Sequence, residues 1–166
     1  GVLYVLVCAV NGLNRSSLLY CLMTSALLTL SLIDWRTYEI PFGINVFLFF
    51  IGIAATVSDR GNLISHLTGA ICVSAFLGIL FLLSDGRAIG GGDIKLMAVC
   101  GLILGWKQII LAFLLGCIIG SVVHTIRIKV SGAGHMLAMG PYLSAGVAIA
   151  VLWGNEFLQW YLHFYL

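Results

Sequence analysis

Long stretches without a charged residue constrain this chain more than any other feature of its sequence. Residues 16–33 form one such run of 18 residues, and residues 63–83 form another of 21. A helix needs about 20 mostly apolar residues to cross the hydrocarbon core of a bilayer. Across the chain 61% of the residues are hydrophobic and only 8% are charged, whereas soluble domains carry about 25% charged residues. The sequence therefore predicts an integral membrane protein.

The spacing of the apolar segments predicts an all-α, polytopic bundle of about six to seven membrane helices, forming a single domain over residues 1–166. Besides the two runs above, apolar segments occupy residues 1–13, 40–57, 93–106, 108–126 and 136–155. The first segment is short, as expected for a helix whose start is truncated. The aromatic tail, residues 157–166, is typical of an interfacial belt rather than of a further crossing.

Composition and cysteine spacing argue against several classes of function. The formal net charge is only +2, which gives no electrostatic support for nucleic-acid binding. The five cysteines include no C-x-x-C pair, and the four histidines show no ligand spacing, so neither a metal site nor a disulfide framework is predicted. The cysteines are interpreted as small buried apolar residues, and the histidines as packing or interfacial residues.

Two aspartates stand out at the edges of apolar segments. Asp93 follows three consecutive glycines, residues 90–92, and Asp34 follows the uncharged run 16–33. Aspartate at a helix start is often a simple N-cap. An ionisable group at the edge of a bilayer is, however, a functional candidate by default. Two carboxylates at matching depth suggest a catalytic pair.

Alternating the crossings places both aspartates on the same side of the membrane. The loops 34–39, 84–92 and 127–135 fall on this side, and the segments 14–15, 58–62 and 107 fall on the other. Basic residues are more numerous on the first side (Arg36, Arg87, Lys95, Arg127 and Lys129) than on the second (Arg15, Arg60 and Lys107). The positive-inside rule therefore predicts that Asp34 and Asp93 face the cytoplasm.

A close pair of carboxylates has a defined chemistry. Two carboxyl groups about 3 Å apart share one proton, so that one can take a proton from water while the other polarises a peptide carbonyl. This is aspartic proteolysis, and it requires no metal and no cofactor. A helix N-terminus favours the ionised form of Asp93 and a helix C-terminus opposes ionisation of Asp34. We therefore expect Asp93 to be the base, although a coupled pair titrates as one unit.

The residues around the pair have supporting interpretations. Gly90, Gly91 and Gly92 lack side chains, so that backbone or an extended substrate can approach closely; the alternative is a flexible connector. Lys95 is rotated by about 200° from Asp93 on a helix and is expected to reach the lipid headgroups. Asn45 is a candidate hydrogen-bond partner of the pair, with contact between helices as the alternative.

The ordered set of motifs resembles a known family. Asp34 is followed after five residues by Ile40-Pro41, then by the segment Gly90-Gly91-Gly92-Asp93-Ile94-Lys95-Leu96, by Gly101 and Gly105-Trp106, and finally by Met139-Gly140-Pro141-Tyr142-Leu143. This order, over about residues 20–154, resembles the type IV prepilin peptidases, which are G-x-G-D intramembrane aspartic proteases. Presenilin-like relatives carry a Tyr-Asp first site and a late Pro-Ala-Leu, which this sequence lacks.

The resemblance implies an endopeptidase of the bacterial inner membrane, with Asp34 and Asp93 as the catalytic pair and Pro41, Lys95 and the three glycines as motif residues. Its substrates would be type IV prepilins or pseudopilins, cut between a short basic leader and the hydrophobic mature helix at the cytoplasmic face. Many bacterial members also methylate the new N-terminus with S-adenosylmethionine and carry a cysteine-rich zinc region. This chain shows no such region, so that second activity stays open: the chain is a short member, or the region lies upstream of Gly1.

Two other classes of function compete with the peptidase. A proton-coupled transporter would use paired carboxylates as a relay near the bilayer midplane, usually within an internal repeat. A non-catalytic subunit of a pilus or secretion assembly would tolerate loss of either aspartate. The positions of Asp34 and Asp93 at segment ends favour the enzyme over the transporter.

Overall fold

The fold is built from α-helices packed side by side. A computed structural model describes residues 1–86, 89–131 and 138–165. These residues form α1 (Val2–Asn11), α2 (Arg15–Thr37), α3 (Phe42–Ser58), α4 (Leu63–Leu83), α5 (Gly91–Leu104), α6 (Trp106–Ser131) and α7 (Gly140–Tyr165), with a short 3₁₀ turn at Arg60–Asn62 before α4. The structure confirms the predicted all-α helical bundle.

The surface of the bundle is suited to lipid. Within the part of the chain that the structure describes, three helices are long and apolar enough to cross a membrane: α2, α4 with its preceding turn, and α6. On α4 the buried residues are confined to His66, Gly69, Val73 and Leu77, a spacing of three and four residues that defines one face of a helix. Large apolar side chains on its other faces are exposed, for example Ile71 and Leu82. Such extensive apolar exposure is tolerated where the surrounding solvent is hydrocarbon.

The short helix α5 forms the centre of the bundle. It packs against α3, α4, α6 and α7, and eight of its 14 residues are buried. Its closest approach is to α4, where a Cβ built on Gly69 would lie 2.5 Å from the Gly101 carbonyl oxygen. Gly105 ends α5 with φ 81°, a left-handed conformation that glycine adopts without a steric penalty. Small residues therefore set the distance between these two helices.

Contacts between helix ends show which termini lie together. The C-terminus of α2 meets the N-terminus of α7 at Asp34 and Gly140. The N-terminus of α5 meets the segment before α3 at Gly92 and Ile40. We call this region the carboxylate end of the bundle, because Asp34 and Asp93 both lie in it.

Several predicted boundaries are wrong at this end, because helices continue through polar residues at the membrane edge. The predicted loop 34–39 is helical through Thr37, and the predicted basic loop beginning at Arg127 is helical through Ser131. The helix of the last crossing, α7, begins at Gly140. At the opposite end of the bundle, the predicted aromatic tail continues this helix to Tyr165. Arg87 and residues 132–137, which include His135, lie outside the described residues.

Polar side chains connect the helices at the opposite end. His66 is buried, with Nδ1 2.9 Å from the Leu102 carbonyl oxygen and Nε2 3.6 Å from the Asp59 carboxylate. Gln108 on α6 donates to Asn155 on α7 at 2.9 Å. The interpretation of His66 as a helix-packing residue is confirmed by these contacts. These polar contacts link the ends of α4, α5, α6 and α7 that lie away from the aspartates.

The α4–α5 contact yields a matched pair of predictions on a single helix. Gly69→Ala places a Cβ against the α5 backbone, and such overpacking is expected to destabilise the protein by about 1–3 kcal/mol. Gly78→Ala is the control, since a Cβ there meets nothing within 4 Å and alanine favours helix by about 1 kcal/mol. Thermal unfolding in detergent measures both. Equal melting temperatures for the two variants would contradict the close α4–α5 packing.

Candidate active site

Asp34 lies in the last turn of α2, on the face that packs into the bundle. It is 3% exposed, and the buried residues Leu27 and Leu30 precede it on the same face of the helix. Its Oδ2 atom accepts a hydrogen bond of 2.9 Å from the backbone N–H of Gly140. Gly140 is the first residue of α7, so the carboxylate of Asp34 faces the positive end of a second helix.

Asp93 lies in the first turn of α5. It is 8% exposed and is the third residue of its helix, after the N-cap Gly90. A Cβ on Gly90 would lie 3.2 Å from Oδ2 of Asp93, so the Asp93 carboxylate lies beside the Gly90 backbone, which stabilises its charge, as expected for an acidic residue in the first turn of a helix. The alternative interpretation of Asp93 as a capping residue therefore has a structural basis, although the cap residue itself is Gly90.

The two carboxylates lie in one electrostatic environment. The negative charge of Asp34 acts on Asp93 across the space between α2 and α5. Both α3 and α7 pack against each of these two helices and hold their ends together. Among the residues that the structure describes, neither aspartate forms an ion pair with Lys or Arg. Two buried carboxylates without a cation resist simultaneous ionisation.

Two of the three glycines before Asp93 have contrasting environments. A Cβ on Gly92 would lie 2.9 Å from Cβ of Ile40, whereas a Cβ on Gly91 would meet nothing within 4 Å. Gly92 is therefore required by packing against the segment before α3. Gly91 and Gly92 lie inside the first turn of α5, so the alternative of a flexible connector fails for these two positions.

The other predicted motif residues occupy supporting positions. Pro41 is the N-cap of α3. Lys95 is exposed, and its ammonium lies 5.8 Å from the centre of the Phe42 ring, on a different side of α5 from the buried Asp93. Asn45 is buried, and its Oδ1 has no hydrogen-bond partner among the described residues. Neither of its two predicted roles is supported by a contact of this oxygen.

An aromatic cluster beside Asp34 was not predicted from the sequence. The guanidinium of Arg127 lies 4.8 Å from the centre of the Trp35 ring, a distance at which a cation is attracted to an aromatic face. Trp35 also packs edge-to-face against Tyr142, with ring centres 6.4 Å apart. These contacts join the end of α6 to the end of α2 and the start of α7. They hold in place the turn that carries Asp34.

The Gly140 contact was also missed, although the sequence contained a signal for it. Proline is favoured in the first turn of a helix, so Gly140-Pro141 marks a helix N-terminus, and helix N-termini bind anions. What the sequence does not show is which anionic group lies opposite.

The fold and site define a helical membrane protein with two buried carboxylates at one end of the bundle. A model of the type IV leader peptidase family matches residues 21–125, a range that includes both aspartates, and the chain belongs to this family.

Curated relatives are similar over most of this chain. The chain is 32% identical over 155 residues to the prepilin leader peptidase/N-methyltransferase of Pseudomonas putida, covering 87% of this chain and 53% of the relative. It is 29% identical over 141 residues to the protein of that name from Bacillus subtilis, and the match covers 83% of this chain and 56% of the relative. It is 28% identical over 150 residues to the protein of the same name from Legionella pneumophila, and the match covers 84% of this chain and 51% of the relative.

The chain thus spans about half the length of these curated relatives. A search of solved structures found no significant match.

The contact between Asp34 and Gly140 predicts a specific destabilisation. A Cβ on Gly140 would lie 2.6 Å from Oδ2 of Asp34, so Gly140→Ala is expected to displace the carboxylate from its N–H donor. Loss of a hydrogen bond to a buried charged group costs about 1.5–3 kcal/mol, and thermal unfolding in detergent measures it.

Gly154→Ala, on the same helix, is the control for that substitution. A Cβ at Gly154 makes only ordinary contacts, the nearest at 3.5 Å, so this variant should unfold at or above the wild-type temperature. If Gly140→Ala were as stable as Gly154→Ala, the hydrogen bond would not contribute to holding Asp34.

Proposed function

We propose that this chain is an intramembrane aspartic endopeptidase that removes the leader peptide from type IV prepilins or pseudopilins. The observation that carries the proposal is the burial of Asp34 and Asp93 together at one end of the bundle, each facing a backbone N–H. Membership of the leader peptidase family supports a peptidase. The printed names of the relatives, prepilin leader peptidase/N-methyltransferase, support the substrate class.

The proposed reaction uses the shared proton. The ionised carboxylate takes a proton from water while the oxygen of that water bonds to the scissile carbonyl carbon. The protonated carboxyl gives its proton to the carbonyl oxygen, which forms a neutral tetrahedral intermediate. The intermediate then collapses: the carboxylate that gave up its proton takes one from a hydroxyl of the intermediate as the C=O bond re-forms and the C–N bond breaks. The amine nitrogen receives a proton from the acid formed in the first step, which returns the pair to its starting protonation state. The cycle requires neither metal nor cofactor.

The direction of the helix that carries each aspartate does not by itself decide which aspartate is the base and which is the acid in this cycle. Asp34 lies at the C-terminal end of α2, which opposes its ionisation, but it also faces the N-terminus of α7, which favours ionisation. Asp93 faces the N-terminus of its own helix. Both carboxylates therefore receive N-terminal stabilisation, and the expected assignment of Asp93 as the base loses its main argument. The pair is treated as one titrating unit.

We propose that the carboxylate end faces the cytoplasm of a bacterial cell and that the bundle lies in the inner membrane. The excess of basic residues at this end supports the orientation through the positive-inside rule. A prepilin-type substrate carries its basic leader on the same side, so the scissile bond would lie at the depth of the aspartates. N-methylation of the new N-terminus with S-adenosylmethionine stays an open alternative activity, suggested only by the names of the relatives.

The competing functions fit the geometry less well. A proton relay is expected near the middle of the membrane, whereas Asp34 lies in the last turn of α2 and Asp93 in the first turn of α5. In a non-catalytic assembly subunit, two buried carboxylates close enough to repel each other would serve no purpose. Burying such charges costs free energy of folding. Substitution of the aspartates separates these functions.

Cleavage of a prepilin-type leader peptide by the purified protein in detergent tests the proposal. We expect wild type to cut the peptide, and Asp34→Asn and Asp93→Asn each to lower the rate by at least about 100-fold, because asparagine can neither accept nor donate the required proton. Mass spectrometry of the products locates the cut.

Asp85→Asn is the matched control for these variants. Asp85 lies in a turn with φ 51°, a conformation that asparagine adopts readily, and the variant should cut at the wild-type rate. Undiminished cleavage by both Asp34→Asn and Asp93→Asn would show that the aspartates are structural. An inactive wild type would contradict the peptidase assignment for this chain.

A further inference from the structure

Two of the five cysteines face each other on neighbouring helices. Cys8 is on α1 and Cys21 is on α2, and their thiols are close enough to interact with each other. Both residues are partly exposed, whereas Cys100 is buried. The interpretation of the cysteines as small buried apolar residues therefore does not hold for this pair, and the leader peptidase chemistry proposed above does not use it.

Contacts on either side of the cysteine pair fix the register of α1 against α2. The hydroxyls of Tyr4 and Ser25 are hydrogen-bonded to each other, and Ser17 Oγ donates to the carbonyl oxygen of Gly12. On each helix, one of these contacts lies four residues before the cysteine and the other lies four residues after it. Residues four apart share one face of a helix, so the two cysteines occupy the middle of a row of facing residues.

The helix that carries Cys8 buries little surface against the rest of the bundle. Of its 10 residues, only Val7 is buried. Near its end, Asn11 Nδ2 donates to the Val151 carbonyl oxygen on α7 at 3.2 Å. Because helices in lipid associate mainly through close packing and hydrogen bonds, a covalent bond to α2 would add substantially to the attachment of α1.

The cysteine pair lies in the half of the bundle away from the aspartates. Cys21 is about 20 Å from Asp34 along α2, given the rise of 1.5 Å per residue. With the carboxylate end facing the cytoplasm, as proposed above, the cysteines belong to the outward half of the bundle. The bacterial periplasm, which that half adjoins, is a compartment in which disulfides form and persist.

We propose that Cys8 and Cys21 form a disulfide that fastens α1 to α2 in the outward half of the bundle. The oxidant is a small molecule of the disulfide class. One cysteine thiolate attacks it, which breaks its S–S bond and releases one thiol. The second cysteine then attacks the resulting mixed disulfide, which forms the bond between the two cysteines and releases the second thiol. The cysteine sulfurs lose two electrons to the oxidant, and their two protons end on the released thiols.

The inference rests on the proposed orientation for its oxidising surroundings, but not for the pairing of the thiols. Counting free thiols tests it. Cells that express the wild-type chain are quenched with acid, and the denatured protein is treated with a polyethylene-glycol maleimide, which adds one unit of mass to each thiol. We expect three additions without reductant and five after reduction, since the chain has five cysteines. Five additions without reductant would overturn the proposal.

Variants identify which cysteines are paired. Cys8→Ser should show four additions without reductant, because Cys21 is then free; two additions would show that the disulfide joins other cysteines, and would overturn the proposal. The matched control combines Cys21→Ser with Leu22→Cys, which turns the thiol by about 100° onto the exposed side of α2. This control should show five additions. Three additions in it would contradict the register.

Treating membranes with 4,4′-dipyridyl disulfide, a membrane-permeant oxidant, separates the pairing from the orientation. Thiols that are free in cells but are closed by this oxidant would overturn the outward placement, and thiols that stay free with it would overturn the pairing. Neither result depends on leader cleavage, which the aspartate variants test.

Thermal unfolding in detergent measures the effect of the bond on stability. A disulfide restricts the unfolded chain, so the oxidised wild type should melt at least about 3 °C above the reduced protein. In Cys21→Ser the reductant should leave the melting temperature unchanged. Equal melting temperatures for oxidised and reduced wild type would show that the bond does not fasten α1.

Discussion

Two buried carboxylates in an apolar bundle are tolerated here because each meets a backbone N–H at the start of a helix. A charge removed from water is costly unless it is hydrogen-bonded, and no lysine or arginine pairs with either aspartate among the described residues. The N-terminus of α7 stabilises the carboxylate of Asp34, and the N-terminus of α5 stabilises that of Asp93. Helix ends supply a partial positive charge without a mobile side chain. Backbone N–H groups, rather than mobile basic side chains, therefore stabilise the two carboxylates within the described residues.

Glycine residues allow helices and side chains to approach each other closely, both at the aspartates and at the centre of the bundle. A Cβ at Gly140 would occupy the space of the Asp34 carboxylate, and one at Gly92 would collide with Ile40. At the centre of the bundle Gly69 and Gly101 bring α4 against α5, the helix that carries Asp93. In a membrane there is little hydrophobic driving force between helices, so close packing at small residues carries more of the association. The same residues that stabilise the bundle thus position the chemistry.

The sequence by itself determined that the chain is a helical membrane bundle and that Asp34 and Asp93 lie at the same end of it. Uncharged runs long enough to cross a bilayer require helices, and alternating crossings assign each connecting segment to one side. It also determined the family, because the motifs recur in a set order. Helix ends near the membrane edge were misplaced at Thr37 and Ser131, since helices continue into the polar boundary where hydropathy changes sign. Only the tertiary structure decided the partner of Asp34. The N–H of Gly140 lies 106 positions from Asp34, and a contact between such distant residues depends on how helices pack, which periodicity and composition do not encode.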